Sequence, residues 1–341
     1  MWKFPLLSAS FSHPTVFNII AWNRVDCCSV KGISTPVIQY PCVRGKRHVN
    51  MKAFILAVLG LIAACEAGDT LRLTYGTAPA CKIGTECFVP LPRNIDEALT
   101  AGYVQVDMPD KDLQNTECYV NPEEPKIGLI CDVDTRGVVG LNVAIDIEND
   151  VKNPPFDFLK LGWILYTLFG RECYAIQILY VSPESLERSA QERIASYNPD
   201  DVYQETHVYL PGRNGDWMAV PRDENKVAEE TVFTIQGYLP QMGRHYFEKV
   251  TKTMQCTEEE MPSWFLLFEK YSMVGIGCIM PMDHPAEVEG KTSRFESPAE
   301  AAIKLLVPNG PACLPKMTIT TLHVYTAAKP WNIGIPLRSH E

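Results

Sequence analysis

Residues 126–147 read KIGLICDVDTRGVVGLNVAIDI, and residues 264–280 read WFLLFEKYSMVGIGCIM. Each stretch is two apolar runs joined by a polar break: Asp134-Thr135-Arg136-Gly137 in the first, Lys270-Tyr271-Ser272 in the second. Runs rich in β-branched and aromatic residues predict strands, and a short polar break between two of them predicts a β-hairpin. The hairpin strands are Lys126 to Cys131 with Val138 to Ile147, and Trp264 to Phe268 with Met273 to Met280. Gly140 and Gly275 fall at the same place in the second strand, where glycine signals a bulge or a close backbone approach.

Working outward, the two hairpins sit in two similar contexts. Gly102-Tyr103-Val104 matches Gly237-Tyr238-Leu239, and Tyr119-Val120 matches Tyr246-Phe247. Gly128 to Asp132 matches Phe265 to Glu269, and Val139 to Val143 matches Val274 to Cys278. Pro155-Phe156-Asp157 with Lys160-Leu161 matches Pro298-Ala299-Glu300 with Lys304-Leu305, and Leu179-Tyr180 matches Val324-Tyr325. Each match is short, but their collinear order predicts an internal duplication. Strands at Tyr174 to Val181 and Thr318 to Thr326 close the two halves, and Leu71 to Tyr75 adds an N-terminal strand.

Helices are few. Ser297-Pro298-Ala299-Glu300 has the form of an N-cap, a proline at the first helical position and a capping-box glutamate, which predicts a helix through Leu305. Ser182-Pro183 opens a second helix, Glu184 to Ser196, read as a solvated connector. Asn198-Pro199-Asp200-Asp201 ends it, placing the boundary near residues 196–206, and residues 211–215 form a further loop. The expected fold class is mainly β with short helices (α+β): two similar antiparallel β-rich modules, 68–196 and 197–341.

Residues 51–67 read MKAFILAVLGLIAACEA. Lys52, an apolar run from Phe54 to Ala64, and small residues at Cys65 and Ala67 form the pattern of a cleavable secretory signal, too short to span a bilayer. Translation is therefore expected to begin at Met51, with residues 1–50 a non-native or over-extended leader. A mitochondrial transit sequence lacks arginines at helical spacing, and lipid attachment at Cys65 conflicts with the later cysteine density. A cut before Gly68 leaves 274 of the 341 residues and moves the net charge from −10 to −15, because the leader is basic. So acidic a chain does not suit nucleic-acid binding, which needs clustered Lys and Arg.

Eight of the 12 cysteines remain after that cut. An even count in a secreted chain suggests disulfides. Cys131 and Cys278 lie inside apolar strands and read as buried free thiols. Cys81, Cys87, Cys118, Cys173, Cys256 and Cys313 are the disulfide candidates, with Cys256–Cys313 the pair expected in the second half. No Asn-x-Ser/Thr sequon occurs, and the longest later apolar stretch, residues 161–170, is too short to cross a membrane.

Chemistry is harder to find. Residues 132–137 begin like a calcium loop, but Arg136 and Val143 stand where ligands are required, so a hairpin turn is the reading. GxSxG, HExxH, CxxC and phosphate-loop motifs do not occur. Glu258-Glu259-Glu260 reads as a solvated loop. His245, Glu248 and His323 are the candidate general acid/base group, and His245 with His323 the candidate metal ligands. The first half has Ile178 where His323 is expected to align and Cys118 near the place of His245. The alternative is hydrogen-bonded strand histidines without a site. Trp217, Trp264, Trp331, Tyr238, Tyr246 and Tyr325 gather in the second half and read mainly as core, Trp264 above all. The expected function is a secreted extracellular binding or structural protein without a cofactor, whose partners are an extracellular protein, a glycan or a mineral surface. The competing class is a secreted hydrolase with a histidine site in the second module.

Overall fold

The computed structural model describes residues 67–74, 88–284, 287–288, 291–292 and 294–334. The expected leader, the signal segment up to Glu66, and Cys81 and Cys87 lie outside these residues. The hairpin β1 (Ala67–Thr74) and β2 (Phe88–Leu91) comes first, followed by α1 (Ile95–Thr100). Strands β3 (Val104–Val106), β4 (Thr116–Val120), β5 (Ile127–Asp132) and β6 (Val138–Asp146) pair in succession. A 3-10 turn (Phe158–Leu161) leads to β7 (Ile164–Leu168) and β8 (Arg171–Leu179). Next come α2 (Pro183–Leu186), α3 (Ala190–Ser196), the hairpin β9 (His207–Pro211) and β10 (Trp217–Pro221), and α4 (Glu224–Glu230). Strands β11 (Phe233–Leu239), β12 (Gly243–Glu248), β13 (Trp264–Glu269) and β14 (Ser272–Met280) again pair in succession. A small ribbon of β15 (Glu287–Val288) and β16 (Lys291–Thr292), α5 (Glu300–Leu306) and β17 (Thr320–Ala327) follow.

The protein is mainly β with few short helices, arranged in two large antiparallel sheets of similar layout. The first sheet runs β3-β4-β5-β6-β8-β9-β10, with β7 paired to β8; the second runs β11-β12-β13-β14-β17-β1-β2. Both hairpins read from the sequence are present, and both carry a register shift, at Ile130/Cys131 and at Leu267/Phe268. The two glycines after the shifts share one steric cause. A Cβ on Gly140 would come 2.5 Å from the Ile178 carbonyl, and one on Gly275 would come 2.7 Å from the Val324 carbonyl. The helices before β3 and β11 also start alike. Asn94 caps α1 and bridges to Gly137, and Asp223 caps α4 and bridges to Ser272.

Each sheet takes a hairpin from the other half of the chain. β1–β2 pairs with β17 in the second sheet, whereas β9 meets β8 in the first through Leu179 and Tyr209. The main hydrophobic core is accordingly shared, joining Leu129, Leu141 and Tyr180 to Trp264, Leu266 and Val324. Polar contacts cross it: Trp264 Nε1 donates to the Pro211 carbonyl at 3.1 Å, and the Tyr203 and Thr326 hydroxyls lie 2.7 Å apart.

The helices differ from the sequence expectation. Residues 184–196 form two helices, because Ser189 and Glu192 make a capping box that restarts the chain at α3. Nor is this connector merely solvated: Arg193 is buried, and its Nε donates to Asp132 Oδ2 at 2.6 Å. The box expected at Ser297 does not form, and α5 begins at Glu300 with no side-chain cap. The Ser297 hydroxyl lies instead 3.4 Å from both the His284 carbonyl and the Thr320 hydroxyl. Residues 211–215 span the β9–β10 turn.

Candidate functional site

His245 is on β12 and His323 on β17. Strand alternation places His245 and Phe247 on one face of the second sheet, with Tyr246 and Glu248 on the other. The pairing Phe247–Phe265–Gly277–His323 runs straight across four strands. The two histidines thus share a face, but Phe265 separates them. Its ring lies 5.9 Å from His245 and 4.8 Å from His323. Gly277 makes room for it: a Cβ there would stand 1.9 Å from Phe265 Cζ.

Both imidazoles are buried. Neither ring nitrogen of His245 makes a well-aligned hydrogen bond, though backbone groups of Gly237 and Gly243 lie near enough to favour its protonation, and Nδ1 of His323 makes none. Burial pushes the His245 pKa down to about 4. Burial, and after it the charge of His245, pushes His323 down to about 3. At neutral pH these are uncharged rings and weak bases, far from the pKa near 7 that suits a general base. Glu248 does not join them; its Oε2 accepts from Ser263 N at 3.3 Å. The carboxylate beside His323 is Glu296, with Oε2 3.6 Å from Nδ1. Reciprocal backbone hydrogen bonds with Thr321, 2.8 and 2.7 Å, hold Glu296 there. Sequence reasoning missed Glu296 because no local spacing links residues 296 and 323.

The register also corrects one alignment. Cys118 pairs with Ile130 as His245 pairs with Leu267, so Cys118 holds the place of His245 in the first sheet. Gln177 pairs with Asn142 as His323 pairs with Gly277, so the counterpart of His323 is Gln177 rather than Ile178. Here too, buried polar atoms are without partners: both amide atoms of Asn142 and Nε2 of Gln177.

A second polar cluster had no sequence signal. Lys126 Nζ lies 2.7 Å from Asp150 Oδ1 and 2.9 Å from His284 Nε2, over the Phe295 ring. Burial would raise the Asp150 pKa, but the His284 and Lys126 hydrogen bonds and the lysine charge outweigh it and hold the carboxyl at about 2. This cluster can fasten the ends of β5, β6 and β14, but none of its three side chains is a hydroxyl or thiol nucleophile. The suspected calcium loop is a hairpin turn whose Asp132 Oδ1 accepts from the amides of Asp134 and Thr135, 2.8 Å each. Among the described residues, no three His, Cys, Asp or Glu side chains are placed to hold one metal ion.

Cys256 and Cys313 form a disulfide. Cys118 and Cys173, candidates for bridges, are free and buried in the small cluster that contains Tyr166. Burial pushes their thiols up, to about 12 and about 11. Cys131 and Cys278 are free and buried in the main core. Trp264, Tyr246 and Tyr325 are buried, and Tyr238 is exposed. No helix among the described residues is long and apolar enough to cross a membrane, which leaves strand-built spans unaddressed. Comparison of the chain with protein-family models, curated proteins and solved structures finds no match.

Proposed function

We propose that this protein is a secreted extracellular binding or structural protein, exported by the signal at residues 51–67 and acting through its surface on a protein, glycan or mineral partner. The observation that carries this reading is Phe265 standing between His245 and His323, with both imidazoles too weakly basic for proton transfer near neutral pH. The Cys256–Cys313 disulfide suits an oxidising compartment. The proposal includes descent of the two halves from one duplicated unit. Its support is the shared strand order, the matched register shifts and the paired helix starts at Asn94 and Asp223. The competing reading, a histidine-based hydrolase, draws on two buried imidazoles on one sheet face and on Glu296 beside His323.

N-terminal sequencing of the product exported from cells tests secretion. A start at Gly68 is expected, and one well ahead of it overturns the signal. A panel of chromogenic ester, peptide and glycoside substrates tests the rest. No turnover is expected, whereas turnover that disappears in His323→Gln establishes the hydrolase instead.

A further inference from the structure

His284 follows β14 of the second sheet, and its side chain is 1% exposed. Two charged groups from the first half of the chain face it: Lys126, which leads into β5, and Asp150, which follows β6. Asp150 Oδ1 is shared between them, 2.7 Å from Lys126 Nζ and 3.5 Å from His284 Nε2. Asp150 Oδ2 accepts from the Asp146 amide at 3.0 Å. Lys126 Nζ also lies 2.9 Å from His284 Nε2. An ammonium has donors and no acceptor, so Nε2 is the acceptor, and the neutral ring carries its proton on Nδ1. A protonated imidazole has two donors and no acceptor, and cannot keep that contact. The surroundings decide what gives way. The backbone at His284 is held on both sides, by the bridge from Asp283 to Lys152 and by the Ser297 hydroxyl 3.4 Å from the His284 carbonyl. The Lys126 side chain is 22% exposed and ends a flexible stem, so it has a way out to water. Asp150, held at about 2 despite its burial by its hydrogen bonds to His284 and Lys126, stays a carboxylate throughout. The other charges on these segments are engaged elsewhere. Glu124 pairs with Arg294, Asp146 with Arg171, Glu296 lies beside His323, Lys152 donates to the Glu148 carbonyl, and Asp283 is exposed.

We propose that this cluster is a proton-operated exchange of partners on Asp150. At neutral pH Lys126 bridges Asp150 and His284. When His284 takes up a proton, its Nε2–H donates to Asp150 Oδ1, and Lys126 turns out to solvent. The ammonium thereby leaves the Phe295 ring, whose centroid lies 5.3 Å from it. The tie between the two halves of the chain persists as a direct imidazolium–carboxylate pair. What changes is the surface: a lysine that was tethered at neutral pH becomes a free cation in the loop that carries Glu123 and Glu124.

Long-range proton–nitrogen NMR spectra of the full chain test this, recorded from about pH 8 to about pH 5, where histidines change charge. At the upper end His284 should show a bare Nε2 and a protonated Nδ1. As Nε2 takes up its proton, the Lys126 ε-methylene signals should move in step toward those of exposed lysines. Lys126→Met removes the competing cation and should shift the imidazole change to higher pH by about one pH unit. Asp150→Asn should shift it to lower pH. His284→Gln keeps an acceptor for Lys126 and does not titrate, so the Lys126 signals should stay constant across the range. Circular dichroism at each pH verifies that the chain is folded. The proposal is overturned by a neutral ring protonated on Nε2, by Lys126 signals that ignore the protonation of His284, or by an imidazole change that stays in place in folded Lys126→Met.

Discussion

The two sheets use one backbone frame for two kinds of buried polar surface. At matching register, the first sheet carries Cys118, Gly128, Asn142 and Gln177, and the second carries His245, Phe265, Gly277 and His323. Size is exchanged across neighbouring strands: glycine beside asparagine in one, phenylalanine beside glycine in the other. Protonation behaviour is exchanged as well. Amides do not titrate and the Cys118 thiol is pushed up by burial, whereas two imidazoles are held neutral well below the pH at which a free imidazole takes up its proton. The frame fixes where a polar group is buried; the residue type decides whether that burial depends on pH.

The largest expected consequence is acid lability arising from the two buried imidazoles of the second sheet. The folded imidazoles titrate at about 4 and about 3, and in the unfolded chain they titrate near 6.5. Below about pH 6.5 the unfolded chain takes up protons that the folded chain refuses, so stability present at neutral pH is lost as pH falls toward the folded values. At pH 4 the pair withdraws about 6 kcal/mol relative to pH 7. His323→Gln, which borrows the residue of the first sheet, should reduce that loss by about 3 kcal/mol, read from urea unfolding at the two pH values. An acid loss of the same size in the variant would show that the imidazole is not buried neutral.

How much of this could be read beforehand depended on range. The β5–β6 and β13–β14 hairpins are local, with apolar runs and turn residues in one window, and the sequence carries them plainly. The frame match at Cys118 and His245 follows from those hairpins. The slip to Ile178 arose in the closing strands, where Leu179-Tyr180 and Val324-Tyr325 look alike but stand one residue out of register; a one-residue shift turns every side chain to the other face. The exchange of β1–β2 and β9–β10 between sheets had no local signature, because a hairpin's turn chemistry says nothing about which edge accepts it. Ser297 misled for a related reason: its hydroxyl is engaged by distant groups, the His284 carbonyl and the Thr320 hydroxyl, rather than by its own helix.

A middle-sized effect tests the exchange of volume. In Gly277→Ala the new methyl would meet Phe265 Cζ at 1.9 Å and the Leu322 carbonyl at 2.5 Å. The carbonyl cannot swing aside, and the ring is packed between two histidines. Overpacking of this kind costs about 1–3 kcal/mol. Gly128→Ala, the matching position of Phe265, meets Cys118 Sγ and Val120 Cγ2 at 3.1 Å, both side-chain atoms able to give a little. It should cost less than Gly277→Ala in the same denaturant titration. Equal losses would mean that the two faces are packed alike and that Phe265 does not depend on Gly277.

The smallest expected effect concerns the amide that takes the place of Gly277 in the first sheet. Both polar atoms of Asn142 are buried without a partner, as is Nε2 of Gln177 opposite it. An unpaired buried amide destabilises the fold by about 1–3 kcal/mol, so an apolar group of similar size removes a penalty rather than a contact. Asn142→Leu should accordingly leave stability within about 1 kcal/mol of the parent, or raise it. Its stability should not change between pH 7 and 4 by more than the parent's, because no titrating group is removed. A loss above about 2 kcal/mol would mean that Asn142 is satisfied in solution by enclosed water or by Gln177. Asn142 and Gln177 would then be a paired buried row, unlike the second sheet, where Phe265 stands between the two histidines.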